Sequence, residues 1–256
     1  GLNAMIVDST ALPEQVVRDV IASAFQSAGQ RCSAARILYV QRDVADRTLA
    51  MLKGAMDELA AGDPWDVATD LGPVISAEAQ ADIGAHIETA RAEGRLIHET
   101  GGPRTGHFVS PTLIRVGGIA DLEREVFGPV LHVATYAANR LDAVIDAINA
   151  RGFGLTLGLH TRIDDRVSRV ASRARVGNLY VNRNQIGAVV GSQPFGGEGL
   201  SGTGPKAGGP SYVARFSAPQ VASPADATGG EAPDPATVQR MIDAAQVPAG
   251  AVSTAL

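Results

Sequence analysis

The chain has 256 residues, 45% hydrophobic and 19% charged, a balance that builds a buried core and excludes a disordered polypeptide. A net charge of −5, with no Lys/Arg run longer than two, excludes the electrostatic footprint of a nucleic-acid binder. A single cysteine excludes an internal disulfide, and no apolar run approaches the roughly 18–20 residues that span a bilayer, so a cytoplasmic protein with no membrane span is expected.

Ala4–Val7 (AMIV) is a short apolar run closed by Asp8-Ser9-Thr10 and reads as a strand. Pro13 opens a helix whose apolar residues Val16, Val17, Val20, Ile21, Ala24 and Phe25 recur at helical spacing, with Gly29 as its stop. RILYVQ (36–41) reads as a strand, and Asp43 as the cap of the next helix. GDPWDVATDLGPVIS (62–76) is a loop punctuated by Pro and Gly. A helix over 76–95, a strand at LIHE (96–99) and a strand in FVSPTLIRV with proline at its edge follow. After EVFGPVLHVATY come a helix over 141–150, the strand LTLGLHT, a helix over 164–175 and the strand NLYVN. This alternation predicts an α/β fold around a parallel sheet. Residues 187–209 are glycine-dense and read as a long structured loop of the kind that carries function. SYVARFS (211–217) is a last strand candidate. The domain is expected to span 1–218, and 219–256, poor in large apolar residues, to be linker and tail with a short helix over 237–246.

Cys32 lies in FQSAGQRCSA. A lone cysteine is often an inert buried hydrophobe, but here Gln30, Arg31 and Ser33 surround it with polar groups. Arg31, if turned inward, would favour the reactive thiolate, and the loop leaves backbone N–H groups to meet a substrate oxygen. On the residues alone, filler and nucleophile both stay open. Glu125 by itself reads as a solvated acid. The five histidines are scattered singly without metal-ligand spacing, so no metal site is expected.

Five motifs occur in order: Phe25…Gly29-Gln30-Arg31-Cys32; GDPWDVATDLGPVIS; Ser110-Pro111-Thr112-Leu113; Glu125-Val126-Phe127-Gly128-Pro129; and QPFGGEGLSGTG. Together they resemble the aldehyde dehydrogenase superfamily over residues 1 to about 217. AMIVDSTALPEQVVRDVIASAFQSAGQRCSA and NLYVNRNQIGAVVGSQPFGGEGLSGTG are most similar to L-glutamate γ-semialdehyde (pyrroline-5-carboxylate) dehydrogenases, in particular the dehydrogenase half of the bifunctional proline utilization A flavoenzymes.

The resemblance implies a three-layer, parallel-sheet aldehyde dehydrogenase catalytic domain in which Cys32 is the nucleophile, forming a thiohemiacetal and then a thioester. It implies NAD as cofactor, with Glu125 on the nicotinamide-ribose hydroxyls and Phe127 beside the ring. Ser33, Gly187 and Ala188 would bind the substrate carboxylate, and Phe195 would wall its aliphatic part. FAD would belong only to a proline dehydrogenase domain of a longer relative, and 211–217 would pair across a homodimer. The family's general-base glutamate sits in an E-L/T-G-G motif whose last glycine aligns with Gly1. The chain is thus expected to be a catalytic half lacking the NAD-binding domain, with little turnover alone. The competing readings are another NAD(P)-dependent aldehyde dehydrogenase and a non-catalytic scaffold module of the same fold.

Overall fold

The computed structural model describes residues 1–216 apart from 104 and 203. The expected tail, and the helix over 237–246, lie outside the described residues. In chain order the elements are β1 (Ala4–Val7), α1 (Pro13–Phe25), β2 (Ile37–Gln41), α2 (Arg42–Asp57), α3 (Ala77–Ala92), β3 (Leu96–Glu99) and β4 (Thr112–Arg115). There follow β5 (Val130–Tyr136), α4 (Leu141–Ala150), β6 (Phe153–Gly154), β7 (Thr156–His160), α5 (Asp164–Arg173), β8 (Asn178–Val181) and β9 (Glu198–Gly199).

Seven strands form one sheet in the order β3-β4-β5-β2-β1-β7-β8. Every pair is parallel except β3 with β4. The period of two in the strands divides the core. Ala4 and Ile6 of β1, with Ile37 and Tyr39 of β2, pack on Ile83 and Ile87 of α3, Ile145 of α4 and Val170 of α5. Met5 and Val7, with Leu38 and Val40, pack on Val16 and Val20 of α1 and on Leu52 and Met56 of α2. The sheet is therefore apolar on both faces, the condition for a parallel sheet between two helical layers. At roughly 1.5–3 kcal/mol for each buried Val, Leu or Ile, these two side-chain layers hold strands of only four to seven residues.

Several boundaries differ from the sequence reading. The helix after β2 begins at Arg42, so Asp43 lies in its first turn, where its Oδ2 accepts from Gln41 Nε2 at 2.8 Å. The expected strand at 211–217 is instead a 3₁₀ helix over Val213–Phe216, with Ser217 outside the described residues. Its i→i+3 bonds continue the turn begun at Gly209: Tyr212 N donates to Gly209 O and Arg215 N to Tyr212 O, both at 3.2 Å. The glycine-dense loop contains a little regular structure, since β9 pairs antiparallel with β6 and Phe195 bridges Ala207.

Gly29 does not stop α1. The α-helix ends at Phe25, and Ser27, Ala28 and Gly29 then adopt left-handed conformations with φ of 57°, 52° and 66°. Such geometry costs about 1–2 kcal/mol for each residue bearing a Cβ. Gly29 is needed for a second reason: a Cβ there would lie 2.1 Å from Gly128 O and 2.9 Å from Ala24 O. It is the contact point between the cysteine loop and the turn that leads into β5. Gly29→Ala should therefore lose about 3 kcal/mol or more of stability. Gly84→Ala, in α3 where a Cβ meets nothing within 4 Å, should gain about 0.5–1 kcal/mol. Urea unfolding of the two variants measures both signs.

Candidate active site

The Cys32 segment joins the end of α1 to the start of β2, so it lies at the amino edge of the sheet. Asn3 before β1, Gly128 before β5 and Thr156 at the start of β7 meet it there. Open parallel sheets more often bind ligands at the carboxyl edge. A cleft of about 230 Å³ does lie at that edge, beside Asp8, Pro13 and Arg47, but it holds none of the residues singled out from sequence.

Asn3 joins three segments. Its Nδ2 donates to Cys32 O at 2.7 Å and to Ala34 O at 3.0 Å, and its Oδ1 accepts from Thr156 N at 3.3 Å. Ser33 is buried, and its carbonyl accepts from Thr156 Oγ1 at 3.2 Å and Gln185 Nε2 at 3.3 Å. The main chain on both sides of the thiol is thus fixed while Cys32 itself is exposed.

Arg36 is the second fixture, 1% exposed. Its Nε donates to Glu125 Oε1 at 3.0 Å, its Nη1 to Gly29 O at 2.7 Å and its Nη2 to Arg31 O at 3.1 Å. Its guanidinium carbon stands 4.9 Å from the centroid of the Phe127 ring, within cation–π range. Burial lowers the Arg36 pKa, against the raising influence of Glu125 and, more weakly, of Cys32. Arg36 is thus linked electrostatically to Cys32 as well as to Glu125. Arg31, expected from sequence to favour the thiolate if turned inward, donates from Nε to Ser27 Oγ at 3.1 Å. Gln30 ties the loop outward, donating to Pro73 O at 3.1 Å and accepting from Ile75 N at 2.8 Å.

The residues singled out from sequence fall into two groups. Cys32, Ser33, Gly187, Ala188 and Phe195 line one cavity of about 660 Å³. Glu125 and Phe127 do not line it; they sit behind the cysteine loop and are connected to it through Arg36. Glu125 keeps 22% of its side chain accessible, and its Oε2 meets the Gly1 nitrogen, while Phe127 is 44% exposed.

Two of the five histidines, His86 and His132, meet each other. His132 Nδ1 lies 2.9 Å from Arg36 O, and its Nε2 lies 2.9 Å from His86 Nε2. A carbonyl only accepts, so in the neutral ring Nδ1 carries the proton, His132 Nε2 accepts, and His86 donates. Burial, aided by the charges of His86 and Arg95 and opposed by the Arg36 carbonyl, pushes His132 down to about 4. His160, whose Nε2 is 3.8 Å from Asp19 Oδ2, is pushed to about 4 by burial as well.

Residues 1–221 match the aldehyde dehydrogenase family, and the chain belongs to it. It is 60% identical over 224 residues to the bifunctional protein PutA of Salmonella typhimurium, covering 84% of this chain and 17% of that protein. It is 38% identical over 224 residues to 1-pyrroline-5-carboxylate dehydrogenase 1 of Halalkalibacterium halodurans, covering 84% of this chain and 42% of that one. Among solved structures it resembles a bifunctional proline utilization A protein, with TM-score 0.82 and 58% identity over 84% of this chain and 22% of the other. It also resembles a 1-pyrroline-5-carboxylate dehydrogenase from Thermus with bound NAD, with TM-score 0.78 and 34% identity over 84% and 42% of the two chains. The chain thus spans less than half the length of these relatives.

Asn3, Arg36, Thr156 and Gln185 escaped the sequence reading. A clue existed for the first two, since each is a polar residue at the mouth of an apolar strand run, where a side chain must be buried with partners or not at all. Both buried histidines titrate below their ordinary value near 6.5, so the unfolded chain binds more protons than the folded one between about pH 6.5 and 4. The stability they confer is complete above about pH 6.5 and is lost as pH falls toward 4, on the order of 3 kcal/mol for each. Urea midpoints across that window should fall with acidification. The fall should be shallower in His132→Asn, which keeps a donor for the Arg36 carbonyl.

Proposed function

We propose that this chain carries the catalytic part of an NAD-dependent dehydrogenase that oxidises L-glutamate γ-semialdehyde to L-glutamate, the second step of proline breakdown. The observation that supports it most is Cys32, exposed on the wall of a 660 Å³ cavity with the main chain on either side held rigid. A non-catalytic scaffold needs neither the exposure nor the rigidity.

In this reading Cys32 Sγ attacks the aldehyde carbon and forms a thiohemiacetal. No acceptor among the described residues takes the Cys32 backbone N–H, so it remains to donate to the developing alkoxide. NAD, when bound, would take a hydride from that carbon and leave a thioester on Cys32. Water then adds to the thioester carbon, the thiolate leaves, and the carboxylic acid is released. Thiolate departure makes sulfur a better link here than oxygen. Ser33 and the backbone of Gly187 and Ala188 would hold the substrate carboxylate, with Phe195 against the methylene chain.

The residues present suit the dinucleotide. Glu125 has a partly accessible side chain and Phe127 a partly exposed ring, the groups a ribose diol and a nicotinamide would use. Arg36 fixes the carboxylate through Oε1, and a ribose hydroxyl would have to share or replace the contact that Oε2 makes with Gly1.

In a polypeptide that also contains the rest of the dehydrogenase, Cys32→Ala should lower NADH production from the semialdehyde by about three orders of magnitude or more. Glu125→Gln should chiefly raise KM for NAD. Succinate semialdehyde should be turned over much less efficiently than glutamate semialdehyde. Substantial turnover by Cys32→Ala would refute the mechanism, and a preference for succinate semialdehyde would refute the substrate.

A further inference from the structure

Among the described residues, the wall of the Cys32 cavity contains one with a formally charged side chain, Arg31. Around it the polar members Gln30, Ser33 and Gln193 are neutral, and Val190, Pro194 and Phe195 are apolar. The Arg31 guanidinium bonds through Nε to Ser27 Oγ, which orients it. None of the ion pairs among the described residues uses its Nη edge. That edge points at the substrate loop: Nη1 lies 4.0 Å from where a Cβ on Gly187 would stand. Gly187 has φ +67° and an open face, so an anion can approach its backbone and the guanidinium together. A cation without a carboxylate partner, set among low-dielectric walls, gives the cavity a positive potential that neutral residues do not offset. A planar guanidinium is also suited to a carboxylate, which it can bind through two parallel bonds.

We propose that Arg31 is a specificity-determining residue of the Cys32 cavity, selecting aldehydes that carry a remote carboxylate over neutral aldehydes of equal length. This rests on the reading of Cys32 as the thiol that meets the aldehyde. It assigns to a side-chain cation a share of the carboxylate recognition otherwise left to Ser33 and the backbone of Gly187 and Ala188. It also gives the cysteine loop a division of labour: Arg36, buried, sets the loop's geometry, and Arg31, at the cavity, reads the charge of what enters.

The test needs neither cofactor nor turnover. Glutarate semialdehyde and pentanal have the same carbon chain, differ in one carboxylate, and would each add reversibly to Cys32. Each should therefore protect it from iodoacetamide, as measured by mass spectrometry of the 256-residue chain. Half-protection by glutarate semialdehyde should need about tenfold less compound than by pentanal, a factor expected of one partly screened charge pair. In Arg31→Gln the advantage should fall to within about twofold, and Arg31→Lys should keep most of it. Any change in thiol ionisation affects both aldehydes equally and cancels in the ratio, and pentanal protection reports an intact cavity in each variant. In the unsubstituted chain the advantage should also shrink severalfold as salt rises from about 50 to about 500 mM. A full advantage in Arg31→Gln, or one indifferent to salt, overturns the role of Arg31 and leaves the dehydrogenase reading standing. A Cys32 that neither aldehyde protects overturns the nucleophile reading, and this inference falls with it.

Discussion

The buried guanidinium of Arg36 is the constraint on which the arrangement of the site depends. Removing a cation from water costs several kcal/mol even after relaxation. Here the cost is offset by bonds to one carboxylate and to the carbonyls of Gly29 and Arg31, each charge-assisted bond contributing about 1.5–3 kcal/mol. Those terms nearly cancel, so Arg36 adds little net stability. What it supplies is geometry, because a planar fork satisfied in several directions has one position. Its main chain is held as firmly, its N–H donating to Asn3 O at 2.9 Å and its carbonyl accepting from the ring and the backbone of His132. The loop bearing the thiol and the turn bearing Glu125 and Phe127 consequently cannot move independently.

That coupling explains why strain is tolerated beside the thiol. Two non-glycine residues in left-handed geometry at Ser27 and Ala28 would relax in a free loop. Here the next residue, Gly29, is wedged under Gly128 O, the one after it is bonded to the 73–75 segment, and Arg36 takes the Gly29 carbonyl. The segment is over-determined, the condition under which strained backbone persists, and such strain gathers at functional sites. The result is an exposed sulfur on an immobile backbone, which suits a nucleophile whose target must arrive in one orientation.

The sheet was legible because its signal is repetitive. Strands apolar on both faces, separated by helices with one apolar stripe, leave little freedom in α4, where Leu141–Ala150 agrees with the spacing residue by residue. The motifs likewise placed Cys32, Ser33, Gly187, Ala188 and Phe195 around one cavity. Illegible were contacts whose partners are far apart in sequence. Arg36 and Glu125 are 89 residues apart and His86 and His132 are 46 apart, and no local periodicity records such pairs. Gly29 was misread for the same reason: a glycine after a helix suggests a cap, and only the fold reveals that its missing Cβ is the space occupied by Gly128. SYVARFS shows the converse error, in which β-branched and aromatic composition suggested a strand but the turn at Gly209 continued into a 3₁₀ helix.

The two arginines of the cysteine loop show how burial sets the use of a charge. Arg31 and Arg36 are five residues apart and chemically identical, yet one is enclosed and the other borders a cavity. Enclosure forces Arg36 to spend its donors on the protein, and whatever enters the cavity meets it only through the geometry it imposes. Arg31 is oriented by one weak neutral contact to Ser27, which leaves its cationic edge directed at the loop of Gly187. A site that must hold a thiol still and also distinguish the charge of its visitor cannot do both with one guanidinium, since full internal satisfaction removes the donors that recognition requires. The loop meets both demands by placing the first cation behind the thiol and the second beside it.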